Sequence, residues 1–166
     1  MTAIQSLEDA VVALLVAFFT PLLYPTVAIG PLPTSKSENT TITNGQQIWA
    51  LINQVKAGQE LSGTSLFQET VYQFGISVEA RQLRDDLGTY NLIDLVNKAL
   101  LGKRPITGAG WLKLAPQGWV NKGEQDGVFT AFGLFECPGI PLIANYDTAT
   151  GDGPPLTETT FNLTTT

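Results

Sequence analysis

"VYQFGISVEARQLRDDLGTYNLIDLVNKALLG", Val71 to Gly102, contains a strand pattern, a charged corner and a helix pattern in succession. From Phe67 to Ala80 the chain alternates, with Tyr72, Phe74, Ile76, Val78 and Ala80 on one face and Gln73, Ser77 and Glu79 on the other. A period of two over this length predicts a β-strand. Gly75 in its middle points to a bulge or a close backbone approach. Thr89 is the expected N-cap of a helix over Tyr90 to Leu101, whose Leu92, Ile93, Leu95, Val96, Ala99 and Leu100 form a wide apolar face, and Gly102 supplies the stop. Arg81 to Asp86 is then the corner joining strand to helix.

Working outward, residues 3 to 19 predict a second helix, signalled by a capping box at Thr2 and Gln5 and another start at Ser6 and Asp9. Ile4, Leu7, Val11, Leu14 and Phe18 fall on one stripe, while Val12, Leu15, Val16 and Phe19 make its C-terminal half apolar all round. One face is expected on its own sheet, and the other is free to meet a neighbour. The run Ala10 to Phe19 is shorter than the ~20 residues of a membrane span and lacks a basic leader, so a buried helix is expected and no membrane partner. Pro21 and Pro25 end it, and Val27 to Ile29 is a candidate short strand.

Ile48 to Val55 and Val128 to Cys137 are apolar on both faces, as central strands are. Between them, Trp111 to Leu114 continues through Trp119 and Val120, and Asn121 to Gly127, "NKGEQDG", is a polar hairpin-like connection. Gly30 to Gln46 has the composition of a long loop. The reading is one α+β domain over residues 1–143, a largely antiparallel sheet of four to five strands packed against two helices. Residues 144–166 form an extended Thr-rich C-terminal tail, in which Phe161 and Leu163 share one face of an extended segment and are candidates to dock on a sheet edge.

Composition narrows function. The chain has 166 residues, 43% hydrophobic and only 14% charged, against roughly 25% charged in an average globular protein. Part of its surface is therefore expected to be covered by a partner. A net charge of -6 with nine scattered basic residues argues against phosphate or nucleic-acid recognition. Lys103 and Arg104, the one basic pair, follow a helix whose C-terminal dipole they complement. A single cysteine, Cys137, allows no internal disulfide and suits a reducing compartment.

The absence of histidine removes Ser-His-Asp and Cys-His nucleophile systems and nearly all zinc sites. No nucleotide-binding glycine motif occurs either, so neither a cofactor nor a metal is expected. What remains for an enzyme is carboxylate chemistry, and Asp85 and Asp86, being adjacent, diverge rather than face each other across a bond. Trp49, Trp111 and Trp119 are the only route to a sugar-stacking platform; core or interface anchoring is the alternative.

The order "VEARQLRDDLG", "TYNLIDLVNKALLGKRP", "WLKLAPQGWVNKGEQDGVFTAFGLFEC" resembles the tail-completion, or tail terminator, proteins of Mu-like and other contractile-tailed bacteriophages. The resemblance spans roughly Gln68 to Cys137. It is carried by Arg81 and Arg84, the helix start at Gly88, Tyr90, Leu92, Ile93 and Asp94, then Ala99, Leu100, Gly102 and Pro105, and the turn at Asp126 to Phe129. These are shape residues, not a catalytic signature.

The resemblance implies a structural virion protein and no enzyme: a ring protomer, homohexameric as tail terminators generally are, capping the head-proximal end of the tail tube. Its implied partners are copies of itself, tube and sheath proteins, and neck or connector proteins, with DNA passing through the lumen without specific binding. Assembly in a host cytoplasm and residence at the neck end of the tail follow. Arg81, Arg84, Asp85, Asp86, Phe161 and Leu163 are the interface candidates, and Glu60, Asp85, Asp86, Glu124 and Asp126 the candidate lumen carboxylates. A neck adaptor or baseplate component is the structural alternative, and a carboxylate-based glycan hydrolase the enzymatic one.

Overall fold

The computed structural model describes residues 3–22, 27–32, 45–60, 67–86, 88–107 and 109–143. In chain order these form α1 (Ala3–Phe19) with a 3-10 turn over Thr20–Leu22, β1 (Val27–Pro31), β2 (Gln46–Glu60), β3 (Phe67–Ala80), α2 (Thr89–Leu100), β4 (Lys113–Gln125) and β5 (Val128–Ile143). The five strands make one sheet in the order β1-β2-β3-β5-β4. β1 runs parallel to β2 and every other neighbour is antiparallel. The fold is α+β with two helices against a mainly antiparallel sheet.

Alternation along β3 builds the core. Tyr72, Phe74, Ile76, Val78 and Ala80 all point to the helix side and are buried there with Ile48 and Ala50 of β2 and Ala131, Phe135 and Cys137 of β5. α1 contributes Leu7, Val11, Leu15 and Phe19, and α2 contributes Leu92, Val96, Ala99 and Leu100. Each of the Leu, Ile, Val and Phe side chains, fully buried, is worth about 1.5–3 kcal/mol. Both helices thus cover the same face of the sheet.

Several boundaries differ from the sequence reading. The buried stripe of α1 is Leu7, Val11, Leu15 and Phe19, with Leu14 and Phe18 only partly covered, one step round from the predicted stripe. The N-cap of α2 is Gly88, not Thr89. A β-carbon on Gly88 would stand 2.7 Å from the Leu83 carbonyl carbon and 2.8 Å from two backbone nitrogens, so the corner closes around a glycine. Thr89 instead lies within the helix, its hydroxyl 3.4 Å from the carbonyls of both Gln82 and Phe129. The helix stop is as read, with Gly102 at φ +68. Arg104 stacks on Trp111, 4.1 Å from the ring centroid, a role different from the expected dipole partner.

The sheet is also longer than expected. β2 and β3 pair out to Glu60 and Gln68, and β3 and β5 out to Phe67 and Ile143. β4 begins opposite Glu136 and β1 ends opposite Ala50. Asn121 to Gln125 belongs to β4, so the β4–β5 connection shrinks to Asp126 and Gly127, at φ 53 and 75. Two positive φ values are what a tight type I′ hairpin turn demands.

Candidate functional site

The side of the sheet away from the helices carries a patterned surface. Trp49, Ser77, Phe132 and Val120 lie side by side across β2, β3, β5 and β4, and Leu51, Gly75 and Leu134 form the next row. Gly75 marks a close approach: a β-carbon there would lie 3.1 Å from Leu51 and 2.8 Å from Phe132 Cε2, so the missing side chain is what lets that ring lie across β3. Val120 is 45% exposed. The result is an apolar band crossing the middle of the sheet.

Polar rows flank the band. On one side stand Gln54, Gln73, Glu136 and Lys113 in register, with Lys56 and Lys113 3.5 and 3.9 Å from the Glu136 carboxylate. Asn53 donates to the Gln73 carbonyl oxygen at 3.2 Å, yet the Gln73 amide nitrogen has no partner although the residue is only 3% exposed. On the other side are Gln47, Glu79 and Thr130. The Gln47 side-chain oxygen is also buried without a partner. Burial holds the Glu79 carboxyl above its ordinary pKa, with a hydrogen bond from Trp49 working in the opposite direction. Each such buried, unpartnered atom costs about 1–3 kcal/mol of folding stability.

The charged corner is folded by its own backbone. Thr89 N–H donates to Gln82 O at 3.0 Å, Tyr90 N–H to Leu83 O at 3.3 Å and Gly88 N–H to Asp85 O at 3.0 Å. The Asn91 amide donates to the Asp86 carbonyl. Arg81, Arg84, Asp85 and Asp86 are all exposed to solvent. The β4–β5 turn lies at the same end, because Ala80, Phe129 and Glu124 share a row and Thr89 reaches the Phe129 carbonyl. Asp85, Asp86, Glu124 and Asp126 therefore share one end of the domain. Glu60 pairs opposite Gln68 at the far end of the sheet and does not join them. Phe161 and Leu163 lie outside the described residues.

The three tryptophans do not form a platform. Trp49 is on the open face, whereas Trp119 is on the helix side, donating to Asn97 at 3.0 Å and meeting Phe135 edge-on with centroids 6.0 Å apart. Trp111 is 56% exposed under Arg104. Among the described residues no group of three or more His, Cys, Asp or Glu side chains could hold a metal ion. The open face was foreshadowed only by the two-sided apolar pattern of β2 and β5. Nothing in one sequence says which strands stand side by side, so Trp49, Phe132 and Gln73 could not be joined into a surface before the fold was known.

No protein-family model matches the sequence, and no curated protein matches it. Among solved structures, the fold is similar to a chain in the virion of a native gene transfer agent particle, with a TM-score of 0.50 and 16% identity, over 84% of this chain and 98% of that chain. At that identity the likeness is one of fold.

Proposed function

We propose that this chain is a structural protein of a virion or virion-like particle, and specifically a tail terminator: a ring, homohexameric in the simplest case, that caps the head-proximal end of a tail tube and offers a surface to the neck. The observation that carries the reading is the fold held in common with a virion chain along 98% of that chain's length. The resemblance of Gln68 to Cys137 to tail-completion proteins supplies the finer assignment. A low share of charged residues and a partly exposed apolar band suit a protomer whose flanks are buried by neighbours.

A net charge of -6 suits a conduit, since repulsion keeps DNA sliding where a basic lumen would hold it. The acidic end formed by Asp85, Asp86, Glu124 and Asp126 is the candidate lumen rim, and Arg81 and Arg84 beside it are the candidate subunit or neck contacts. Residues 144–166, with Phe161 and Leu163, are proposed as an arm that docks on a neighbour.

Light scattering on the purified protein, alone and then with assembled tail tubes, tests the reading. A ring in solution, or a monomer that becomes a ring on tube ends, supports a terminator. A persistent monomer indifferent to tubes overturns it. Arg84→Ala should weaken ring assembly while leaving the monomer folded.

A further inference from the structure

Among the described residues, two partly exposed apolar surfaces stand on opposite sides of the protomer. One is the band of Trp49, Leu51, Phe132, Leu134 and Val120 on the open side of the sheet. The other is the outer side of α1, where Asp9, Ala13, Val16 and Thr20 follow one another at helical spacing, diametrically away from the buried Leu7, Val11 and Leu15. The stretch Gln5–Leu22 is long and apolar enough to cross a membrane, yet only 22% of it is buried within the protomer. Val16 is 42% exposed in its middle.

We propose that, in the assembled ring, the outer side of α1 of one copy lies on the open sheet face of the next. The inference rests on the ring reading above. Because the two surfaces face opposite ways, they cannot meet within one molecule. Paired between copies, they make a heterologous, head-to-tail contact, which is the kind that closes rings. Each sheet then has helices on both faces, and the one-sided protomer becomes a three-layer arrangement.

The surfaces match in shape and polarity. Ala13 and its neighbour Ala17 give the helix a low crest where the sheet presents the bulky Trp49 and Phe132. From Val16 to Asp9 is about 10 Å along a helix, and from Phe132 to Glu136 is about 13 Å along a strand. With Val16 on the apolar band, Asp9 stands level with Lys56 and Lys113. Lys56 and Lys113 share the single Glu136 carboxylate, and a second carboxylate, which only accepts hydrogen bonds, complements them. A lipid surface is the competing occupant for an apolar helix, but acyl chains offer no acceptor to Lys56 and Lys113 beside the band.

The test uses two variants of the full chain that each add one cysteine, Ala13→Cys and Val120→Cys, both at exposed positions. Cys137 is buried, with its thiol pushed up to about 11, and does not compete for a maleimide at neutral pH. Mixed and treated with a short bismaleimide, the two should give a covalent dimer, while neither alone should. In parallel, Asp9→Lys should weaken the ring at least ~10-fold, and Lys113→Glu in the same chain should restore most of the loss. A ring by light scattering with no mixed cross-link, or self-cross-linking by Val120→Cys alone, overturns the docking and leaves the ring reading standing. A protein that stays monomeric with and without tubes overturns both.

Discussion

Phe132 on β5 lies over Gly75 on β3, where a β-carbon would meet the ring at Cε2 at 2.8 Å and Leu51 at 3.1 Å. The mirror arrangement stands one residue along on the other face, where Trp119 lies over Gly133 with its indole 2.6 Å from the position of a β-carbon. Each glycine lets an aromatic ring cross its strand flat, one on the open side and one beneath α2. Gly75→Ala should therefore destabilise the protein by about 1–3 kcal/mol, as overpacking does. Phe132→Leu in the same chain should recover part of that loss, measured as urea midpoints and compared through a double-mutant cycle.

The Trp119 side is held by one further bond. Its indole N–H donates to Asn97 at 3.0 Å, tying β4 to α2. Asn97→Ala leaves the half-buried donor without its partner and should cost about 1–2 kcal/mol. The loss should fall on folding stability, because the pair lies on the helix side, away from the open face. Equal stability of Asn97→Ala and wild type in thermal melts would show that water replaces the bond.

The fold was legible where alternation had one meaning. β3 puts every second residue into the core, and its pattern named both faces correctly. α1 was harder: with Leu14 and Leu15, and Phe18 and Phe19, adjacent and equally apolar, periodicity could not say which of each pair faces inward. β5 runs past its expected end at Cys137. Pro138 and Pro141 lie in β5 beyond the residue where β4 begins, and Pro116 sits in edge strand β4 within a break of register between Leu114 and Trp119. A missing N–H is tolerated in such places. The corner Arg81 to Asp86 was found as a charged, exposed connection, but the crowding that makes Gly88 its cap comes from backbone of Leu83 to Asp85 folding back, which no local pattern records.

Cys137 offers a clean probe of global opening. It is fully buried on the helix face of β5, its thiol donating to the Gly110 carbonyl at 3.4 Å, and burial pushes its pKa up to about 11. At pH 8 the native protein should not react with a thiol reagent over minutes, whereas the urea-unfolded chain should react fully. Labelling of the native state at the unfolded rate would show that β5 and the β4 edge part from the core far more easily than their packing implies.

Glu79 sets the expected pH dependence. Burial on the open face raises its carboxyl above 4.5, and the Trp49 hydrogen bond offsets only part of that. The folded state therefore binds its proton more tightly than the unfolded state, so ν_N exceeds ν_U between the two pKa values and stability falls as pH rises through them. The contribution is fully present below 4.5 and gone above the raised value. Glu8, also raised by burial and by neighbouring Asp9, adds in the same direction. Glu79→Gln should flatten the slope of urea midpoint against pH just above 4.5 and make the variant more stable than wild type at pH 7. If the two proteins keep parallel slopes through that window, the Glu79 carboxylate is as well solvated as in the unfolded chain, and the open face is wetter than its burial indicates.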